Sequence, residues 1–364
     1  MKQGNLLLIL CSLFIFISCK EESSKLFVGT FTQAGSEGLY SYSFNPKTGE
    51  LNNKKLEAEI KDPSFLTISN NKKYLYVIKR TEEFKDSKGA IIAYKIKEDG
   101  IEEINTIGTG GGYPCHVGVS KKGDFLAASC YSDGSLSIYK LAENGSLRSN
   151  PQYINHKILD SIKKAKAHAS IFTPDGLFTA DLGLDAVKRY QYDGEKFVPG
   201  KQPSLKFTDG AGPRHFKFSA DKKFLYVINE LNSTITLLSK NEDGEYITKE
   251  TKLTLDKDYK GKNSCADIHL SKDGKFLYGS NRGENTIVIF KIDKETGKLT
   301  LVGRESVHGD WPRNFAIDPS DKFVLVGNRK TNNITVFKRD IEKGTLNFLH
   351  DVKIPSPVCL EFLE

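Results

Sequence analysis

One pattern, met seven times, limits what this chain can fold into. The copies open at Asp62-Pro63-Ser64-Phe65, Tyr113-Pro114-Cys115-His116, Lys166-Ala167-His168-Ala169, Gly212-Pro213-Arg214-His215, Ser264-Cys265-Ala266-Asp267, Trp311-Pro312-Arg313-Asn314 and Ser356-Pro357-Val358-Cys359, with the second residues 45 to 53 positions apart. In the first six copies a polar turn follows, beginning at Ser69, Ser120, Thr173, Ser219, Ser271 or Asp318. Next comes an apolar run such as FLYVINE or FLYGSNR, then a third run such as ITLLSK or IVIFKI. Aromatic and β-branched residues alternate there with polar ones, the period-two signature of strands. A fourth, more polar run, for example Lys298 to Val307, has the composition of an outer edge. Four antiparallel strands at this period make a propeller blade. The expected fold is therefore all-β: a seven-bladed β-propeller with four antiparallel strands per blade. The copy starting at Leu26 lacks an opening strand, and Pro355 to Leu363 is an opening strand with no successor. The C-terminal strand is expected to join the N-terminal blade and close the ring. Gly176 to Asp181 is two residues shorter than its counterpart Gly274 to Asn281, so its strand is clipped or its turn tightened.

The first residues have another character. Lys2 precedes an apolar run from Leu6 to Ile17, and Phe16-Ile17-Ser18-Cys19 has the form of a lipobox. Residues 1–19 read as a lipoprotein signal peptide with Cys19 as the lipidation site, 20–24 as a tether and 25–364 as one propeller domain. A signal cleaved without lipid, or an uncleaved anchor, remains the alternative. The reading places the protein in the cell envelope, on the periplasmic side or the outer membrane, held to the membrane by lipid. The net charge of +7 is spread through a chain that is 27% charged, with mean hydropathy −0.40. With no basic block, nucleic acid is not an expected partner; at most the charge favours anionic ligands. Of six cysteines, the four beyond the leader show no C-x-x-C spacing. Cys115 and Cys130 are placed to form a cross-hairpin disulfide or to remain buried thiols.

In an antiparallel hairpin, the start of one strand lies beside the end of the next. One rim therefore collects Cys115, His116, His168, Arg214, His215, Asp267, His269, Arg313 and Asn314 from the openings. The following strand ends contribute Asp181, Asn229, Glu230, Asn281, Arg282, Asn328 and Arg329. Asn229 recurs as Asn281 and Asn328 and reads as blade architecture. His168, Arg214, Glu230 and Arg282 come from three successive copies. An imidazole, a carboxylate and two guanidiniums suit acid/base work on an anionic substrate. No H-E-x-x-H motif is present, and Gly110-Gly111-Gly112 lacks a following Lys-Ser/Thr, so no metal or other cofactor is expected.

These residues lie in stretches with a family likeness. PCHVGVS, AHASIFTPDG with ADLGLDAV, GAGPRHFKFS with FLYVINELNSTI, NSCADIHLSKDGKFLYGSNRGENTI, GDWPRNFAIDPSDKF and the terminal PSPVC span most of the chain after the leader. The chain resembles the seven-bladed lactonase propellers, which include propeller-type 6-phosphogluconolactonases and carboxy-muconate cycloisomerases. The resemblance implies a lactone hydrolase whose catalytic set is His168, Arg214, Glu230 and Arg282. His168 or Glu230 would activate water, and the arginines would hold the anion. His116, His215, His269 and Arg313 are further substrate-binding candidates. The partner it implies is a small anionic lactone or sugar acid. Family members often carry a second histidine two residues before the first; here that position is Lys166. A non-catalytic envelope propeller, binding sugar acids or a protein, is the competing expectation.

Overall fold

The computed structural model describes residues 23–81, 84, 85, 87–159 and 162–364. The leader, Cys19 and the tether up to Glu22 lie outside the described residues. Seven four-stranded antiparallel sheets follow one another around a ring. The closing sheet runs in the order Pro357–Leu363, Ser24–Thr30, Gly38–Phe44, Leu51–Glu59, with Lys25 opposite Leu363 and Gly29 opposite Cys359. The C-terminal strand thus supplies the innermost strand of the N-terminal blade.

Composition explains each strand's place. The second strands are buried almost throughout, and Phe224–Asn229 at every position, because a neighbouring blade covers each face. The fourth strands, such as Tyr246–Leu253, bury little beyond their first residue and take the polar sequences of an outer edge. Cores form between sheets. Phe224, Tyr226 and Ile228 of one blade pack with Ile268, Leu277 and Phe290 of the next. Burying each such side chain stabilises the ring by roughly 1.5–3 kcal/mol.

A polar latch repeats at these joints. Tyr76, Tyr226 and Tyr278 donate from their hydroxyls to the carbonyls of Gly145, Gly297 and Gly344, at 3.0, 2.9 and 2.8 Å. Each glycine sits in a turn of the following blade. Gly297 has φ of +72°, and a Cβ there would fall 2.5 Å from the Phe224 ring. Only glycine meets both conditions without displacement.

Two open sequence questions are settled locally. The strand Gly176–Asp181 keeps six residues; its turn is the part that tightens, with Thr173 paired directly to Gly176. Cys115 and Cys130 are free buried thiols, as are Cys265 and Cys359.

Candidate active site

A bulge in the innermost strands builds the mouth. Pairing runs Pro213 to Asn229 and then His215 to Ile228, leaving Arg214 as the extra residue. The same slip isolates Cys115, His168, Arg313 and Val358, and it falls at Ala266-Asp267 in the fifth copy. A bulged residue leaves the ladder and its side chain is re-aimed. The residue after a second strand makes a companion set that includes Phe31, Arg80, Tyr131, Glu230 and Arg329, joined by Arg282 as the last residue of its own second strand.

Glu230 is fixed by its backbone. Its amide donates to the Gly212 carbonyl (2.7 Å), and its carbonyl accepts from the Cys265 amide of the next blade (3.2 Å). Its Oε2 lies 2.9 Å from Arg214 Nε and 2.8 Å from an Arg282 terminal nitrogen. The Glu230 side chain is 17% exposed, against 2% and 5% for the arginines, so the pair is nearly dry. Arg282 also donates to the Ser264 and Cys265 carbonyls at 3.0 and 2.9 Å, and its guanidinium lies 5.3 Å from the Trp311 ring centroid. Burial pushes the Glu230 carboxyl up, but Arg282, Arg214 and Arg313 prevail and hold it below its usual range. Arg214 is lowered to about 10 by burial and then by Arg282; it remains a cation at neutral pH.

His168 stands apart chemically. Its ring is buried, and Nδ1 has no hydrogen-bond partner among the described residues. Burial, then Arg214 and His215, holds its pKa well below the ordinary value, so the imidazole is neutral. Its ring meets that of His215 at 5.1 Å and Tyr131 at 5.9 Å. Lys166 caps Tyr131, with Nζ 3.3 Å from the hydroxyl and 5.0 Å from the ring centroid.

His215 connects the mouth to the strand layer below. Its Nδ1 is 2.7 Å from Asp267 Oδ1, and its Nε2 is 3.3 Å from an Arg214 nitrogen. Facing a carboxylate on one side and a cation on the other, the ring is assigned its proton on Nδ1 and accepts at Nε2. Burial and Arg214 lower it to about 4 despite Asp267. Asp267 also accepts from His269 Nε2 (3.0 Å) and from Asn314 Nδ2 (2.5 Å).

The structure thus brings Arg214, Glu230 and Arg282 into contact, with His168 joined to them through His215. It does not bring His269 to the mouth. His269 pairs with Tyr278 near the far end of its strand and lines an opposite-side pocket with Lys217 and Glu361. His116, its ring tilted against that of Phe65 with centroids 4.3 Å apart, also lines that pocket. Counting along a strand does not reveal that each residue descends by about 3.3 Å, so His269 falls below the rim. Arg313 is at the mouth, in a small cavity with Arg214 and Cys115. Sequence reasoning passed over Arg80, although it ends its run as Arg282 and Arg329 end theirs. Asn229 and Asn328 bond Thr236 and Thr335 within their own blades, at 3.0 and 3.1 Å. Among the described residues no group of three or more His, Cys, Asp or Glu side chains is placed to hold a metal ion.

Seven four-stranded blades around a mouth carrying one clamped carboxylate, converging guanidiniums and a neutral imidazole define a propeller with the parts of a hydrolytic site. The chain belongs to the lactonase family of seven-bladed β-propellers, whose model matches residues 25–362. It is 33% identical to a 6-phosphogluconolactonase of Bacillus subtilis, over 93% of this chain and 97% of that one. It is 37% identical to a 6-phosphogluconolactonase of Formosa agariphila, over 81% and 86% of the two chains. Among solved structures, a periplasmic gluconolactonase of Pseudomonas aeruginosa superposes with a TM-score of 0.87 at 30% identity, covering 94% of this chain and 99% of that one. The protein is thus a 6-phosphogluconolactonase-like member of the family.

Proposed function

We propose that the protein hydrolyses a sugar lactone at this mouth, with His168 as the base. Supporting the assignment is the neutral, buried imidazole whose Nδ1 has no partner, beside guanidiniums that already converge on one carboxylate. A buried polar atom left unpaired calls for an explanation, and a water to be activated is one. Glu230, pinned between two arginines and held low, is a poor base but a good clamp. It fixes Arg214 and Arg282 where negative charge develops.

In the reaction, water attacks the lactone carbonyl carbon while His168 takes its proton. The carbonyl π pair becomes the oxyanion, which Arg214 and Arg282 stabilise. As the carbonyl re-forms, the ring C–O bond breaks and the imidazolium returns its proton to the departing alkoxide, giving the hydroxy acid. The positive field of Arg214 depresses His168 in the free enzyme; the developing oxyanion opposes that field as the proton arrives.

Wild type, His168→Ala and Arg282→Ala are to be assayed on phosphorylated and unphosphorylated sugar lactones by pH-stat, with spontaneous opening subtracted. Rates at least 100-fold lower in both variants are expected; wild-type rates in both would dismiss the assignment. The likeness to a periplasmic enzyme supports an envelope location, and the lipobox motif alone supports a lipid on Cys19. Cys19→Ser should move the protein from the membrane fraction to the soluble one; an unchanged distribution would remove the lipid anchor from the reading.

A further inference from the structure

His215 is a substrate-binding candidate by sequence, yet the structure leaves it no free ring nitrogen. Neighbouring residues in a strand normally point to opposite faces. The bulge at Arg214 cancels that alternation, so the Arg214 and His215 side chains meet. Nδ1 of His215 is taken by Asp267 Oδ1 at 2.7 Å, and Nε2 by an Arg214 terminal nitrogen at 3.3 Å. The ring is also walled in, with the centroids of His168, His116 and Phe65 at 5.1, 5.6 and 6.0 Å.

Asp267 beneath it is buried and serves as a hub. Its Oδ1 accepts from His215 and from the Ile268 amide (3.0 Å). Its Oδ2 accepts from His269 Nε2 (3.0 Å), from Asn314 Nδ2 and from the Phe315 amide (3.4 Å). All of these neighbours are donors, and a carboxylate, which only accepts, is the side chain that suits them. Asn314 cannot turn to offer its oxygen, because Oδ1 takes the Leu360 amide at 2.7 Å. Asp267 therefore dictates where His215 keeps its proton. With Nδ1–H spent on the carboxylate, Nε2 is a lone pair facing Arg214. The other tautomer would set one N–H against another. Arg214 needs this aim. Its Nε lies 2.9 Å from Glu230 Oε2 but makes no aligned hydrogen bond. The charge of Glu230 draws the guanidinium in without fixing its direction. Direction comes from the Ala266 carbonyl and from His215, both of which accept from the same terminal nitrogen.

We infer that Asp267 and His215 are positioning residues: Asp267 locks His215 in its Nδ1–H tautomer, and the Nε2 lone pair aims Arg214 at the place where the oxyanion forms. This rests on the lactonase reading above. The same ring packs T-shaped against His168, so one buried pair sets both the base and the oxyanion donor.

Two variants test it by turnover. Asp267→Asn keeps the shape but places an NH2 among donors, facing either His215 and Ile268 or Asn314. His215→Phe keeps a ring and removes both nitrogens. Removing an oxyanion donor outright lowers kcat by about 10²–10³, so mis-aiming one should lower it about tenfold or more in both variants, with KM nearly unchanged. Wild-type kcat in both, or a loss carried by KM, overturns the proposal. In an Arg214→Ala background, His215→Phe should cost little more, because residues that act as a unit are not additive; an undiminished further loss overturns it. Adding Asn314→Asp to Asp267→Asn gives the new amide an acceptor and turns its carbonyl oxygen to His215. This double variant should recover kcat, and one no faster than the single variant overturns the proposal.

A second measurement needs no turnover and no altered active protein. Histidine-nitrogen NMR of wild type at neutral pH should show His215 protonated at Nδ1 and bare at Nε2. Its signals are those missing from His215→Phe or, if that variant does not fold, from His215→Gln. An Nε2–H tautomer or a doubly protonated ring overturns the lock. A wild type that opens no lactone refutes the lactonase reading instead, so the two failures are distinguishable.

Discussion

Replacing Glu230 by Gln removes one negative charge and almost no volume, which makes it the sharpest perturbation of the mouth. Oε2 lies 2.9 and 2.8 Å from two guanidiniums in a nearly dry setting. Taking the charge away leaves both arginines buried without a counter-ion, which costs about 3–5 kcal/mol when one partner of a buried pair is lost. Gln retains an acceptor but turns its amide hydrogens toward one arginine, so the upper part of that range applies in anion-free buffer. An added anion can replace the missing carboxylate: phosphate at 100 times its Kd returns about 2.7 kcal/mol. The assay is chemical denaturation of wild type and variant with and without phosphate, alongside lactone turnover. The variant should be less stable without phosphate and gain more from it than wild type. It should turn over at least 100-fold more slowly, yet bind the anionic product no more weakly. An E230Q protein with wild-type stability, phosphate response and turnover would refute the clamp.

Two further predictions concern stability. His215 is lowered to about 4 by burial and Arg214, and His116, His168 and His269 are also held below their ordinary value, each chiefly by burial. Groups that protonate more readily unfolded than folded lose stability as pH falls below about 6.5, by up to about 1.4 kcal/mol per pH unit each. Glu361, raised to about 7 by burial, works in the opposite sense over part of that window but is one group against four. The urea midpoint should therefore fall between pH 7 and pH 5, and a rise would contradict the buried neutral histidines. Gly297→Ala should cost about 2–4 kcal/mol, combining a left-handed backbone with a displaced Phe224 ring. Gly244→Ala, with φ of +80° and nothing nearer than Lys240 at 3.8 Å, should cost only the backbone part; equal losses in thermal melts would discard the packing argument.

The blades were legible because their strands repeat the same alternation at a nearly constant period, and closure followed from one missing opening strand and one surplus one. The contact of Arg214 with Glu230 was also legible, since hairpin geometry requires a strand start and the next strand end to meet. What sequence did not show was depth. The bulge at His168, Arg214 and Arg313 depends on a slipped pairing that leaves no mark in residue type, and without it His269 looked level with the mouth. Phe31 was hidden for another reason: it gathers three arginines from two other blades, up to about 300 residues away, and only the closed ring brings them together.

That closed ring also sets an order of events. Ser24–Thr30 finds its inner partner in Pro357–Leu363, with Lys25 opposite Leu363. Closing so long a loop, rather than a short hairpin, costs roughly 3 kcal/mol more in chain entropy, at about 0.6 kcal/mol per doubling of length. The contact is about as non-local as this sequence allows, and such contacts slow folding. A ribosome therefore releases the first blade's outer strands long before the strand that completes them. Until Pro357–Leu363 emerges, the N-terminal strand presents a bare edge, and the arginines that Phe31 collects have no common floor. Folding to the active form is expected to wait for Pro357–Leu363, and the pairing of that strand is also the step that assembles the anion-binding mouth.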